Sequence, residues 1–415
     1  MSALRPRFWQ KVLAALLIVG VVPIALVSAV SINNTRNDLT TLGVTNIQQR
    51  STSTASAIDA YLASRLGDIV LVGKLPDIVR FASNLGDANA KAAARLALSA
   101  AAARSPEYES VAVVAPDGKV VAASILTDEG TNLAFREYFL NAMKGQSYIS
   151  DPSYSVITNK PALFFSAPVI DGTGKVLAVV RTRVNLAAIW DVVETDLGSV
   201  GEGAHGFLLD DYGIRLAVSE TKGHRDQAES LIYKPIAPID ADTVKKLVAD
   251  KRFGQKTPDQ LVIDPLPTLK SALDVLPKGK TVSAQFSYGA DLSEQRGVVT
   301  RLVAKPWSYV IAVPLTTYTK AADDATFNAL SVVGIGLLLS LIIGIFLTRS
   351  LVRPLRRLVG EATAVSTGDV DLRVAAFDTR RGDDITREVA SAFDRMLNAL
   401  RFYALSDEPA AGGDD

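Results

Sequence analysis

The sequence predicts an α+β protein: two antiparallel-sheet units on a long helix, set between two membrane-spanning helices, with a helical segment behind the second. Three observations carry that prediction. Two long uncharged apolar runs lie 292 positions apart, at 12–32 and 325–348. Between them the hydrophobic period switches from helical to alternating and then repeats that switch. Behind the second run the sequence carries two amphipathic stripes separated by a loop.

The first run, "VLAALLIVGVVPIALVSAVSI", and the second, "ATFNALSVVGIGLLLSLIIGIFLT", are each long enough to cross a bilayer as a helix. Pro23 inside the first is tolerated in such helices. Arg5, Arg7 and Lys11 precede the first run, and Arg349, Arg353, Arg356 and Arg357 follow the second. The inner flanks carry Arg36 and Asp38, then Asp323 and Asp324. The positive-inside rule therefore puts residues 1–11 and everything after 348 in the cytoplasm, and 33–324 outside. A cleaved signal peptide is the competing reading of the first run. Its apolar core exceeds the ~7–15 residues of such peptides, and "VSAVS" is a weak cleavage site.

After the first run, apolar residues at Leu39, Leu42, Val44, Ile47, Ala55, Ile58, Leu62 and Leu66 predict a stalk helix. An Ala-rich helix follows and stops before Pro106. "YESVAVVAPDGKVVAAS" predicts a hairpin around "PDG", and "GQSYIS", "KPALFFSAPVI" and "KVLAVVRTRVNL" predict further strands, with "FREYFLNAMKG" a short helix among them. After the helix "LAAIWDVVETDLG", the theme returns in "HGFLLDDYGIRLAVS" and in three strand candidates within 281–314. The units are expected at about 106–186 and 200–315, the second with a polar, Pro-rich insertion at about 225–280.

Behind the second run, Leu355, Leu358, Ala362 and Val365 form one stripe; Thr386, Val389, Phe393, Met396 and Leu400 form another. Leu372 and Val374 are an apolar pair in the loop between. A helix–loop–helix of this size cannot bury both stripes alone, but two copies make a four-helix bundle. A homodimer is expected.

Composition excludes much chemistry. With no cysteine there is no disulfide, thiolate zinc site or Cys nucleophile. Two histidines, His205 and His224, leave little for a His-rich metal site or a Ser–His–Asp triad. Lys+Arg and Asp+Glu are both 44, so charge points to no nucleic acid. "GEGAHG" at 201–206 matches G-x-G-x-x-G, but a helix precedes it and a strand follows, the reverse of a dinucleotide fingerprint. It reads as a turn. No Walker, kinase or nucleophile-elbow motif occurs, so no enzyme, metal or cofactor is expected.

The order of elements, with "SVAVVAPDGKVVAAS", "FREYFLNAMKGQSYISDP", "ALFFSAPVIDGTGKVLAVV" and "GFLLDDYG", resembles the double Cache family, the PAS-like extracytoplasmic sensors of bacterial receptors. Residues 349–401 resemble a HAMP linker, with Pro354, Glu361 and Gly368 where that family has them. Its Asp-Glu-(Ile/Leu)-Gly box is degraded to Asp384 followed by Ile385, Thr386 and Arg387. The resemblance implies a sensor in the bacterial plasma membrane that relays ligand binding outside to a cytoplasmic protein. In amino-acid-binding Cache sensors, an Arg and following aromatics hold the ligand carboxylate, and a later Asp holds its ammonium. Arg136 matches that Arg, with Tyr138 and Phe139 in place of the usual Trp and Tyr. Arg183 stands where the Asp is expected. Since Arg has no acceptor, two cations favour a carboxylate or other small anion over a plain α-amino acid. Tyr148, Asp151 and Tyr154 are expected to complete the wall. A surface ion pair is the competing reading of Arg136. With only the acidic tail 402–415 after the HAMP segment, output is expected through a separate kinase, phosphatase or cyclase. A membrane scaffold, or a fragment of a larger receptor kinase or chemoreceptor, are the alternatives.

Overall fold

The computed structural model describes residues 8–195, 197, 200–219, 232–253, 257–289 and 294–353, and isolated positions from 356 to 402. The HAMP positions Pro354, Glu361, Gly368 and Asp384 lie outside the described residues.

Two units divide the chain: 37–320, and the two apolar segments with what flanks them. In the latter, helix α1 (Phe8–Gly20) ends short of Pro23, and α2 (Val22–Gly73) begins there. The one-residue interruption at Val21 has a local reason. Proline lacks an N–H and crowds the carbonyl four residues back, beside Gly20. Helix α9 (Leu315–Leu347) is continuous and runs into a π-helical turn, Thr348–Val352. Windows of α2 with its approach and of α9 reach mean hydropathies of 1.7 and 2.7, so two helices are long and apolar enough to cross a membrane. Just past the apolar stretches Arg36 pairs with Asp323.

The 37–320 unit holds the stalk part of α2, then α3 (Pro76–Ser83) and α4 (Ala88–Ala102), capped by Asp87. Strands β1 (Tyr108–Val114), β2 (Val120–Ala123), β3 (Tyr148–Ile149), β4 (Ser153–Tyr154), β5 (Pro161–Ile170) and β6 (Val176–Asn185) make one antiparallel sheet, ordered β2-β1-β6-β5-β3 with β4 on β5. Helix α5 (Glu137–Met143) interrupts them and α6 (Ala187–Thr195) follows. A second sheet, ordered β8-β7-β11-β10-β9, contains β7 (His205–Leu209), β8 (Arg215–Val218), β9 (Ser283–Tyr288), β10 (Gln295–Arg301) and β11 (Ser308–Pro314). Its insertion contributes α7 (Ala241–Ala249) and α8 (Pro267–Val275). "GEGAHG" is a turn: Gly201 and Gly203 take positive φ and β7 follows.

Alternation assigns the faces. Val111, Val113, Leu163, Phe165 and Val180 of the first sheet, with Leu208, Ile311 and Val313 of the second, pack on Ile47, Ala55, Ile58, Leu62 and Ile69 of the stalk in one core. Of the stalk stripe read from sequence, Ile47, Ala55, Ile58 and Leu62 are buried, whereas Leu42 is exposed. The opposite face of the first sheet packs on α5 through Ala112, Val114, Phe164 and Val179. The opposite face of the second packs on the insertion through Phe207, Leu209, Leu247 and Leu269.

Trp307, fully buried, stands at the seam of the two sheets, where its Nε1 donates to Asp151 Oδ1 at 2.7 Å. Trp307→Ala should cost about 3–5 kcal/mol, lowering the melting temperature of the purified full chain by at least about 6 °C in a circular-dichroism melt. Trp307→Phe should recover part of that loss.

Candidate functional site

On the α5 side of the first sheet, strand periodicity brings Arg181 and Arg183 to one face, beside Ser110 and Ala112 on β1 and Phe164 and Ser166 on β5. Both Arg side chains are buried. Between them lies the carboxylate of Asp128, which is fully buried. Its Oδ2 accepts from Arg181 Nη2 at 2.9 Å, Arg183 Nη1 at 3.1 Å and the Ser110 hydroxyl at 2.6 Å. Arg183 Nε also donates to Glu109 at 3.0 Å. Burial opposes ionisation of Asp128, but the Arg181 charge, the Ser110 hydrogen bond and Arg183 outweigh it and hold the carboxyl below its usual range. The loop carrying Asp128 is clamped to α4, because Glu129 takes Arg95 at 2.6 Å and Lys91 at 2.9 Å. Burial works against that carboxylate too, yet those bonds bring its pKa down to about 2.

Helix α5 packs over this charged cluster. Tyr138 stacks on Phe164 with centroids 5.0 Å apart, and Ser166 Oγ donates to the Tyr138 carbonyl at 2.8 Å. Arg136, at the N-cap of α5, is buried and is no surface ion pair. Its Nη1 donates to the Asp250 carbonyl at 2.8 Å and to Ser153 Oγ at 3.2 Å, and its Nη2 to the Tyr154 carbonyl at 2.7 Å. Four buried atoms of this cluster and of α5 lack a hydrogen-bond partner among the described residues: Asp128 Oδ1, Arg181 Nε, Arg136 Nε and the Tyr138 hydroxyl.

The residues expected to form one wall are thus divided. Arg136, Tyr138, Phe139 and Arg183 belong to this cluster and its surroundings, with Phe139 in the α5 core. Tyr148 and Asp151 line a different cavity, of about 490 Å³, at the seam of the two sheets. Tyr154 packs in the second sheet's core, 5.7 Å from Tyr233. Arg183 differs from the free cation read from sequence, since Asp128 and Glu109 engage it. Asp128, Arg181 and Ser110 were missed. One signal was available: two Arg at i and i+2 in the apolar strand "VLAVVRTRV" share a buried face, and that face requires a buried carboxylate.

At the seam, Asp151 accepts from Trp307, from Lys305 at 3.1 Å and from Arg252. Arg252 also lies 3.6 Å from Asp210. Burial pushes the Asp210 carboxyl up to about 7; Arg252 opposes the rise and Asp151 adds to it.

Asp128→Asn leaves two buried guanidinium groups poorly compensated. It should destabilise the fold by about 3–5 kcal/mol in chemical denaturation at neutral pH. The deficit should shrink in acid, because a depressed carboxyl gives its stabilisation above the unfolded pKa and loses it as pH falls through the folded value. Asp210 behaves oppositely. Folded, it keeps its proton to about 7, while unfolded it loses it near about 3.9. The stability of Asp210→Asn relative to the parent should therefore rise between about pH 4 and pH 8.

Residues 36–322 match the Cache domain family, and residues 346–402 match the HAMP domain family. No functionally curated protein matches the sequence. Among solved structures, the sensor domain of the Vibrio cholerae histidine kinase DctB is similar at TM-score 0.51 and 14% identity, over 65% of this chain and 96% of that one. The sensory domain of the Campylobacter jejuni chemoreceptor Tlp3 with isoleucine bound is similar at TM-score 0.47 and 14% identity, over 68% and 97%. At 14% identity the likeness to the DctB sensor domain speaks to fold alone. The Cache match covers more than half of the sequence and is followed by the HAMP match, as the element order implied; the chain belongs to the Cache domain family.

Proposed function

We propose that the protein is a transmembrane receptor whose first sheet unit binds a small carboxylate outside the membrane, and whose HAMP segment relays binding to a cytoplasmic signalling partner. The observation that carries the ligand reading is the set of four unpartnered buried atoms around α5. Buried polar atoms are almost always hydrogen-bonded, so four exceptions on neighbouring charged and aromatic side chains support a place for a polar guest. Arg181 Nε, Arg136 Nε and the Tyr138 hydroxyl can donate to a carboxylate. Asp128 Oδ1 can accept from a hydroxyl or ammonium on the same molecule. A small carboxylate with one donor group fits better than a bare anion. Tyr148 and Asp151 at the seam, and Tyr154 in the second sheet's core, are then not ligand contacts in this reading.

The flanking charges support both termini in the cytoplasm of a bacterial inner membrane, and the paired stripes support a homodimer. The repeated strand order supports reading 37–320 as two tandem units.

The test is a thermal-shift screen of the full chain in nanodiscs against monocarboxylates, dicarboxylates, hydroxy acids and amino acids. A ligand at ~100 times its Kd adds ~2.7 kcal/mol. Tyr138→Phe removes only the hydroxyl and should weaken the hit about ten-fold with the unliganded melt unchanged. A melt that no member of the panel shifts would favour a membrane scaffold.

A further inference from the structure

The five strands of the second sheet correspond in order to five of the six in the first, β4 being the one without a counterpart. Each begins with a hairpin, inserts its last strand beside the first, and continues outward in the same order. The hairpin turns have the same hydrogen bonds. Ala115 N donates to Lys119 O and Gly118 N to Ala115 O; Asp210 N donates to Ile214 O and Gly213 N to Asp210 O. Counting back from those turns makes Leu209, Phe207 and His205 the counterparts of Val114, Ala112 and Ser110. The pairing agrees: Ser110 faces Arg183 four places along β6 from Val179, and His205 faces Ala312 four places along β11 from Ser308. His205 thus occupies the place of the hydroxyl that bonds Asp128 in the first sheet's cluster.

A cavity of about 300 Å³ opens at that place, lined by His205, Phe207, Arg215, Lys234, Asp264 and Tyr288 among others. Three of these side chains are aromatic and mutually oriented. His205 lies 6.5 Å from Phe207 at an interplanar angle of 16°, and Tyr288 meets His205 edge-on at 82°, its hydroxyl hydrogen-bonded to Nε2. The Arg215 guanidinium sits 5.0 Å over Phe207. Two cations, Arg215 and Lys234, line the cavity against one described carboxylate, Asp264, which Arg215 holds and which is half exposed. A cavity with aromatic walls and, among the described residues, two cations to one carboxylate suits a flat anion, whose ring stacks while its charge meets a guanidinium fork.

We infer that the second sheet unit carries its own binding site, and that this site takes a small aromatic carboxylate. The carboxylate lies between Arg215 and Lys234 and the ring among His205, Phe207 and Tyr288. The site is independent of the Asp128 cluster and stands whether or not that cluster binds a ligand. Its probe is 4-fluorobenzoate, followed by ¹⁹F NMR with the full chain in nanodiscs. Saturable binding is expected, weakened about ten-fold by Arg215→Gln and also weakened by Lys234→Gln. Tyr138→Phe, beside the Asp128 cluster, should leave it within about two-fold. Circular-dichroism melts of the variants separate lost binding from lost folding. Absence of saturable binding up to about 10 mM would overturn the inference. So would binding that survives both cation substitutions in folded protein, or that Tyr138→Phe abolishes.

Discussion

The carboxylate of Asp151 holds the two sheets to one another. Burying a charge costs several kcal/mol unless its environment compensates. Here the compensation comes across the seam, from the second sheet's unit: Arg252 from just past α7, and Lys305 and Trp307 from the turn between β10 and β11. The same turn is tied to the stalk, because the backbone N–H groups of Val303 and Ala304 both donate to Asp59 at 2.8 Å. A stalk carboxylate, a second-sheet turn and a first-sheet loop are thus joined by charged hydrogen bonds. Arg136 and Trp307 both reach across the seam, so their burial presupposes that it stays closed.

That arrangement gives each strand of the first sheet two audiences. Arg181 and Arg183 face the charged cluster under α5, while their neighbours Val180 and Val184 face the core that contains Ile58 and Leu62 of the stalk. Strands transmit small displacements because packed interiors are stiff. Arg136 adds a second route: it starts α5 and also binds the Asp250 carbonyl of the insertion on the other sheet. A guest that drew on Arg136 Nε would act on a side chain already tied across the seam. This is the physical content of the proposed relay, and it needs no disordered segment.

Much of this was legible in the sequence, and for specific reasons. The hairpin at "PDG" and its echo at "DDYG", the Ala-rich helix and the two apolar runs each carry a strong local signal, and each appears where it was expected. The break at Val21 was underestimated, because Pro23 sits in an otherwise ideal apolar run. Strand β4 was missed, since two residues show no period. The site was harder. Arg136 and Tyr138 stand out as residue types, but their partners are backbone carbonyls and a distant strand, which spacing does not encode. Asp128 lies in a short 3-10 turn, and only the folded sheet brings it to Arg181 and Arg183. Tyr148 and Asp151 were grouped with Arg136 by nearness in sequence, whereas the loop that carries them turns to the seam.

The proposed receptor requires a small polar molecule under α5, among Asp128, Arg136, Tyr138 and Arg181. The most direct measurement is a high-resolution experimental structure of the full chain purified without exchange of its native small molecules. The account predicts non-protein density within hydrogen-bonding distance of the Tyr138 hydroxyl and Asp128 Oδ1, with its negative end toward Arg181. Those atoms bonded to one another, or to ordered water alone, would contradict it.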